Sequence, residues 1–251
     1  MATYREQGIV LRTYKLGETD RIVHLLTQGR GKVRAVAKGV RRPGSRFGGR
    51  LEVFSHVDLQ LYEGRSLDII NQAELIASHA DVRVDYGRSA AGSVMVELVD
   101  AVVQEGARDT ALFLLLRSGL QALDARPRDP SVFVDAFLLR ASSTLGFHVF
   151  TDACAACRTP GPHAFLSVRG GGTLCPDCAP AGTRAVEPRV IEIVAAFART
   201  AEWSSLPAIG RETDARRTAA AYVRAFVEHH LDRRLRAYDA VPRHAEAGEA
   251  R

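Results

Sequence analysis

No uninterrupted apolar run in this 251-residue chain approaches the roughly 18 residues that a membrane-crossing helix requires; the longest, such as Leu112–Leu116 and Ile193–Ala198, are far shorter. No segment is therefore expected to span a bilayer. Arg5, Glu6 and Gln7 stand where a secretory leader needs an apolar stretch, so export by that route is not expected and the chain reads as cytoplasmic. Internal repeats and long low-complexity tracts are absent, and cysteine is confined to residues 154–178. Motifs for nucleotide chemistry are missing too. Gly29-Arg30-Gly31-Lys32 has the look of a phosphate loop, but Leu26 occupies the position of its first glycine and Val33 that of its Ser/Thr. Gly170-Gly171-Gly172 has no strand-to-helix frame and reads as a turn. The carboxylates form no evident two-metal cluster, and no Ser/His/Asp combination has a supporting local motif. What is present, 46% apolar and 25% charged residues, is enough to bury a core, excludes a wholly disordered or collagen-like chain, and fits one large domain or two ordinary ones.

The scarcity that carries most information is of acids in one window. Between Arg30 and Arg50 there is no carboxylate, while Arg30, Lys32, Arg34, Lys38, Arg41, Arg42, Arg46 and Arg50 all fall there. Residues 1–80 hold 13 Lys+Arg against 8 Asp+Glu; residues 81–251 hold 21 of each, so the whole net charge of +5 belongs to the first third. Unopposed cations on a glycine-containing loop (Gly39, Gly44, Gly48, Gly49) suit a polyanion gripped by its repeating phosphates. A solvated basic loop or an anionic membrane surface would show the same charge. Interleaved Tyr14, Phe47, Phe54 and Tyr62 favour nucleic acid, because rings stack on unpaired bases, although rings also fill cores.

From Tyr4 to Glu74 the pattern has the period of strands. Gln7–Tyr14, Arg21–Thr27 and Lys32–Ala37 are predicted strands, with Gly17-Glu18-Thr19-Asp20 a turn between the first two. In the third, Lys32, Arg34 and Val36 share one face and Val33, Ala35 and Ala37 the other. Leu51, Val53, Val57, Leu59 and Leu61 share a parity that predicts a fourth strand, and Glu63-Gly64-Arg65 turns into a fifth over Leu67–Ala73. Five short strands in about seventy residues predict an OB-type closed barrel. Near Leu75 the period becomes helical, with predicted helices over Ala90–Gln104, Thr110–Leu123 capped by Asp109, Ser131–Leu145 stopped by Gly146, Pro188–Thr200, and Thr213–Leu235 capped by Thr213 or Asp214. The expected fold class is α+β with two domains: a five-stranded OB-type nucleic-acid-binding barrel over residues 1–78, then an all-α domain over 79–236 with a zinc-binding insertion at about 150–183, and a frayed tail over 237–251.

Cys154-Ala-Ala-Cys157 and Cys175-Pro-Asp-Cys178 are separated by 17 residues, the spacing of a four-thiolate zinc site. Each C-x-x-C turn brings two sulfurs to one ion, and two turns fill a tetrahedral shell, so a structural rather than catalytic Zn²⁺ is expected. Disulfides, a thioredoxin-like redox pair, and His148 or His163 as a substitute ligand are the other readings weighed. The zinc deaminase order fails, because His244-Ala-Glu246 follows the cysteines and Leu174 precedes Cys175.

Gly8-Ile9-Val10-Leu11, Gly17-Glu18-Thr19-Asp20-Arg21 and Ala37-Lys38-Gly39-Val40-Arg41-Arg42-Pro43 closely resemble the RecO family of bacterial DNA repair proteins. The resemblance runs the length of the chain, most specifically at the N-terminus, and mainly in order and length over the helices. It implies an OB barrel, a helical domain that in many members carries a four-cysteine zinc motif, and a recombination mediator without enzymatic turnover. It further implies binding of single- and double-stranded DNA, annealing of strands coated by single-strand-binding protein, action with RecR and RecF to load RecA, no membrane role, and a nucleoid-associated location in the cytoplasm. Arg30, Lys32, Arg34, Lys38, Arg41, Arg42, Arg46, Phe47 and Arg50 are the expected DNA-binding residues. Arg34, Lys38, Arg41, Arg42 and Arg46 are assigned to phosphates and Phe47 to base stacking. The competing readings are a metal-dependent nuclease with an accessory zinc ribbon, and an adaptor whose basic loop recruits RNA or ribosomes.

Overall fold

The computed structural model describes residues 2–199, 202–209 and 214–243. The proposed Thr213 cap, the last residue of the Pro188–Thr200 helix, the His244-Ala-Glu246 triplet and the tail beyond Arg243 lie outside the described residues. The chain forms two compact units, residues 1–126 and 127–251.

In the first unit, β1 (Thr3–Leu16), β2 (Asp20–Thr27), β3 (Gly31–Ala37), β4 (His56–Tyr62) and β5 (Asp68–Ala77) close a barrel in the order β1-β2-β3-β5-β4. β1 serves two neighbours. Its first half, Thr3 to Ile9, pairs with β4, and its second, Gly8 to Leu16, with β2; an irregularity between Val10 and Arg12 bends it from one to the other. All pairings are antiparallel except β3 with β5, which meet in parallel only at Ala35–Asp68 and Val36–Ile69. Alternation works as expected in β3: Val33, Ala35 and Ala37 are buried while Lys32 and Arg34 stay partly exposed. The barrel is filled by Val10, Val23, Leu25, Val57, Leu59, Leu61 and Ile70.

The fourth strand is shorter than its parity predicts. Leu51 and Phe54 are buried, but their segment is a chain of turns: Glu52 N–H donates to Gly49 O, Ser55 N–H to Glu52 O, and Phe54 has a φ of 76°. A recurring apolar spacing here reflects a loop tucked inward rather than a ladder.

Three helices complete this unit: α1 (Ala80–Val84), α2 (Tyr86–Val102) and α3 (Thr110–Asp124). Asp85 caps α2 through the Arg88 N–H, and Asp109 caps α3 through the Leu112 N–H, as the sequence led one to expect for Asp109. The connection between α2 and α3 lies along β3. Glu105 bridges to Gly31 and Lys32, and a Cβ on Gly31, whose φ is 65°, would come within 2.0 Å of Ala107 O. Only glycine fits there.

The second unit holds α4 (Pro130–Thr144), a cysteine-bearing segment with the hairpin β6 (Phe165–Ser167) and β7 (Gly172–Leu174), α5 (Pro188–Arg199) and α6 (Asp214–His230). Gly146, with a φ of 94°, follows the end of α4. α6 ends before Leu235, and Asp232 turns the chain with a φ of 47°. The fraying expected from residue 237 does not hold for 237–243. Tyr238 and Val241 are buried, Tyr238 donates its hydroxyl to Asp135 Oδ1 at 2.9 Å, and Arg243 makes a two-pronged contact with the same carboxylate. Asp135 is fully buried and also receives Arg216 Nη1 at 2.6 Å. The segment has no apolar period because it docks through a polar node instead.

Candidate nucleic-acid interface and metal centre

The eight cations of the acid-free window divide into two groups. Those on or beside β3 have acidic partners that are distant in sequence. Lys32 Nζ lies 2.8 Å from Asp100 Oδ1, a carboxylate that Arg12 and His24 also approach. Burial alone would raise the Asp100 carboxyl, but Lys32, Arg12 and His24 together hold it below the ordinary range. Arg34 Nε lies 2.6 Å from Glu105, and Arg30 Nη1 3.5 Å from Glu63. Arg34, assigned from the sequence to phosphate contact, is thus an ion-pair partner in this structure.

The second group, Lys38, Arg41, Arg42, Arg46 and Arg50, lies in the loop between β3 and β4. All five are exposed, and none has a carboxylate within 4.0 Å among the described residues. The loop is nevertheless held in place. Asp20 Oδ1 accepts from the Gly39 N–H at 2.8 Å, and this bond together with the Thr19 hydroxyl keeps the Asp20 carboxyl below its usual range. Thr19 O accepts from the Arg41 N–H at 2.9 Å, Arg41 Nη1 donates to Glu18 O at 2.9 Å, and Arg21 pairs with Glu52 at 3.0 Å. The Gly17-Glu18-Thr19-Asp20 stretch, which reads from sequence as a turn, together with Arg21 at the start of β2, is the anchor of the basic loop. A series of tight turns follows, Arg42 to Gly39, Ser45 to Arg42, Gly48 to Ser45 and Arg50 to Phe47.

Phe47 is where the sequence reading must be corrected. Its side chain is 1% exposed and packs in the barrel core with Leu51, so it pins the loop and has no face open to a base. Phe54 is buried likewise, Tyr62 is half-buried, and Tyr14 is the exposed ring of the four, at 45%. The cations are therefore displayed on an arch fastened at both ends and in the middle.

The four cysteines converge as their spacing predicts. Their sulfurs all lie within 4.8 Å of one another, with Cys157 Sγ 3.7 Å from Cys175 Sγ. Four thiolates at about 2.3 Å around one tetrahedral ion would stand about 3.8 Å apart, so the donor set fits a metal ion. All four are free cysteines, not disulfides. Each pair sits on a tight turn, closed by Arg158 N–H to Cys154 O and by Cys178 N–H to Cys175 O. The Cys157 N–H, with other backbone donors, brings the Cys154 thiol down to about 6. Contact with the Cys175 and Cys157 sulfurs pushes the Cys178 thiol up to about 12. His163 contacts Thr159 O and His148 contacts Ser143; neither belongs to the cluster, which is the only group of three or more metal-ligating side chains among the described residues.

A closed five-stranded OB-like barrel with a basic loop, followed by helices and a four-cysteine centre, places the chain in the class of OB-barrel proteins, whose barrels bind oligonucleotides or oligosaccharides. Within it, residues 1–79 match the model "Recombination protein O N terminal" and residues 83–239 the model "Recombination protein O C terminal". The DNA repair protein RecO of Frankia casuarinae is 44% identical over 239 residues, covering 94% of this chain and 97% of that protein. The RecO of Thermobifida fusca is 43% identical over 246 residues, covering 97% of this chain and 100% of that one. The chain belongs to the RecO family of DNA repair proteins. No helix among the described residues is long and apolar enough to cross a membrane.

Proposed function

We propose that this protein is a recombination mediator that grips DNA by its sugar-phosphate backbone through the loop cations Lys38, Arg41, Arg42, Arg46 and Arg50, with residues 1–78 as the DNA-binding module. The observation that carries this reading is the contrast in pairing: the strand cations have carboxylates within 4.0 Å, whereas the loop cations are exposed with no carboxylate that close among the described residues, Asp20 lying farther off beside Lys38 and Arg42. Phosphate contacts of this kind hold single- and double-stranded DNA without sequence preference and leave base edges free to pair. That is what annealing of strands coated with single-strand-binding protein requires. Family membership supports the finer role, in which the protein acts with RecR and RecF to load RecA at gaps and breaks, without breaking bonds itself, at the nucleoid. The four-cysteine centre is read as a structural Zn²⁺ site, because four soft thiolates with suitable spacing leave no position for substrate. The bound ion would cross-link a segment that has only a two-stranded hairpin of its own.

Charge reversal at Arg41 and Arg42 tests the proposal. R41E/R42E is expected to weaken single-stranded DNA binding by at least about tenfold and to slow annealing in proportion. Unchanged affinity in a folded variant would refute it. Cleavage of labelled DNA by the purified protein with magnesium would instead favour the nuclease reading, and preference for RNA over DNA in competition would favour the adaptor.

A further inference from the structure

The four cysteines share one cluster but are not equally sheltered. Cys154, at 0% exposure, and Cys175, at 6%, pack with Leu174 in a small core of their own, with Phe165 and Ala179 against it. Cys178 is half-buried, and Cys157, in the first of the two turns, is exposed. A thiolate sealed by protein meets little besides its ion, whereas an exposed one also meets solutes. The Cys157 sulfur lies 3.2 Å from the Thr159 hydroxyl oxygen and 3.7 Å from the Cys175 sulfur. A sulfur open to solvent on one side and touching a second cysteine on the other has the layout of a reversible oxidation site. The backbone around it is held by bonds of its own. Ala155 N–H donates to Thr173 O, Cys154 N–H donates to Thr159 O, and Phe165 pairs with Leu174 in the hairpin.

We propose that Cys157 is a site of reversible oxidation by peroxides, with Cys175 as its resolving partner, and that this reaction unloads the metal centre. The proposal rests on the structural Zn²⁺ reading above. In the first step the Cys157 thiolate attacks one peroxide oxygen: an S–O bond forms, the O–O bond breaks, and the other oxygen leaves as hydroxide or alkoxide and takes a proton from water. In the second, the Cys175 thiolate attacks the Cys157 sulfur: an S–S bond forms, the S–O bond breaks, and hydroxide leaves. The two thiolates have lost two electrons and the peroxide has gained them. Cys154 and Cys178 then remain as half of a tetrahedral set, too few donors to keep a structural ion. Because Cys175 is already in contact, the disulfide forms ahead of further oxidation to the irreversible acids. A thiol reductant and fresh metal restore the centre, since the backbone bonds of the turns and hairpin keep the cysteines near their places.

Hydrogen peroxide added to the zinc-loaded full chain tests this through three readings: zinc released to a chromophoric chelator, free thiols titrated after denaturation, and disulfides mapped by mass spectrometry. Zinc release is expected to keep pace with the loss of two of the four thiols. The first disulfide is expected to join Cys157 to Cys175, and excess thiol reductant with zinc to return all four thiols and the metal. Brief alkylation of the loaded chain without peroxide is expected to mark Cys157 ahead of the other three. Zinc and all four thiols retained under peroxide that consumes free cysteine in the same solution would overturn the proposal. So would a first disulfide or a first alkylation that omits Cys157, or sulfonate in place of disulfide with no recovery by reductant. A fully reduced chain that takes up no zinc sinks the metal reading and this proposal together, whereas a zinc-loaded chain that resists peroxide sinks this proposal alone.

Discussion

Single residues decide what the basic window can do, and Phe47 shows how. It sits among cations in the sequence, yet its ring fills the barrel, so its removal should cost fold rather than contact. Phe47→Ala is expected to destabilise the first unit by about 3–5 kcal/mol. At temperatures where the variant is folded, its residual DNA affinity should fall less than that of R41E/R42E; an affinity loss as deep, with no change in denaturant midpoint, would restore Phe47 as a contact residue. His56 is a second buried group with a measurable signature. Burial, then the nearby charges of Arg117 and His79, push its imidazole down to about 4. The unfolded chain, with an ordinary imidazole at about 6.5, binds more protons than the folded one between these values. Stability is therefore complete above about pH 6.5 and falls as acid is added toward pH 4, by about 2 kcal/mol at about pH 5. Urea unfolding at neutral and mildly acid pH checks this, and a pH dependence that persists unaltered in His56→Asn would contradict it. Neither assignment was legible in the sequence. A loop has no period to say which way a ring points, and the burial of His56 depends on Phe113, whose ring centre lies 5.7 Å away on α3.

At the scale of elements, legibility follows period and spacing. The alternation of Lys32 and Arg34 with Val33 and Ala35 placed β3 correctly, and Asp109, Pro188 and Gly146 marked helix ends where the structure has them, because capping and strand parity are local chemistry. The cysteine pairs were equally readable, since a C-x-x-C turn is a local geometry. What this element does for the fold can be measured. Withdrawal of the proposed Zn²⁺ with a thiol-directed reagent and chelator is expected to remove about 10–16 kcal/mol of apparent binding energy from the cysteine segment. The second unit should then melt at lower temperature, while DNA binding through the loop of the first unit is largely kept. Full metal removal with no change in melting would show that the centre is not structural. What the sequence concealed is the role of the Gly17–Asp20 turn and of Arg21 beside it: their anchoring depends on Gly39, Arg41 and Glu52, which lie beyond the reach of any local pattern.

For the whole molecule, the division of cations into paired and unpaired sets a quantitative expectation. If the five loop residues each engage one phosphate, a slope of about −0.7 per contact gives an affinity loss of roughly a hundredfold between about 50 and 200 mM salt. Titrations over that range measure the slope directly, and a slope near zero would exclude backbone grip as the main source of affinity. The amino-acid sequence by itself determined the strand and helix periods, the cysteine quartet, the acid-free basic window and the family, because each is a property of residues close together along the chain or of their order. The tertiary structure alone decided which cations stay unopposed. Asp100 and Glu105 reach Lys32 and Arg34 only when α2 and the turn after it lie against β3, and Coulomb attraction acts through space over a few ångströms, whatever the separation in sequence.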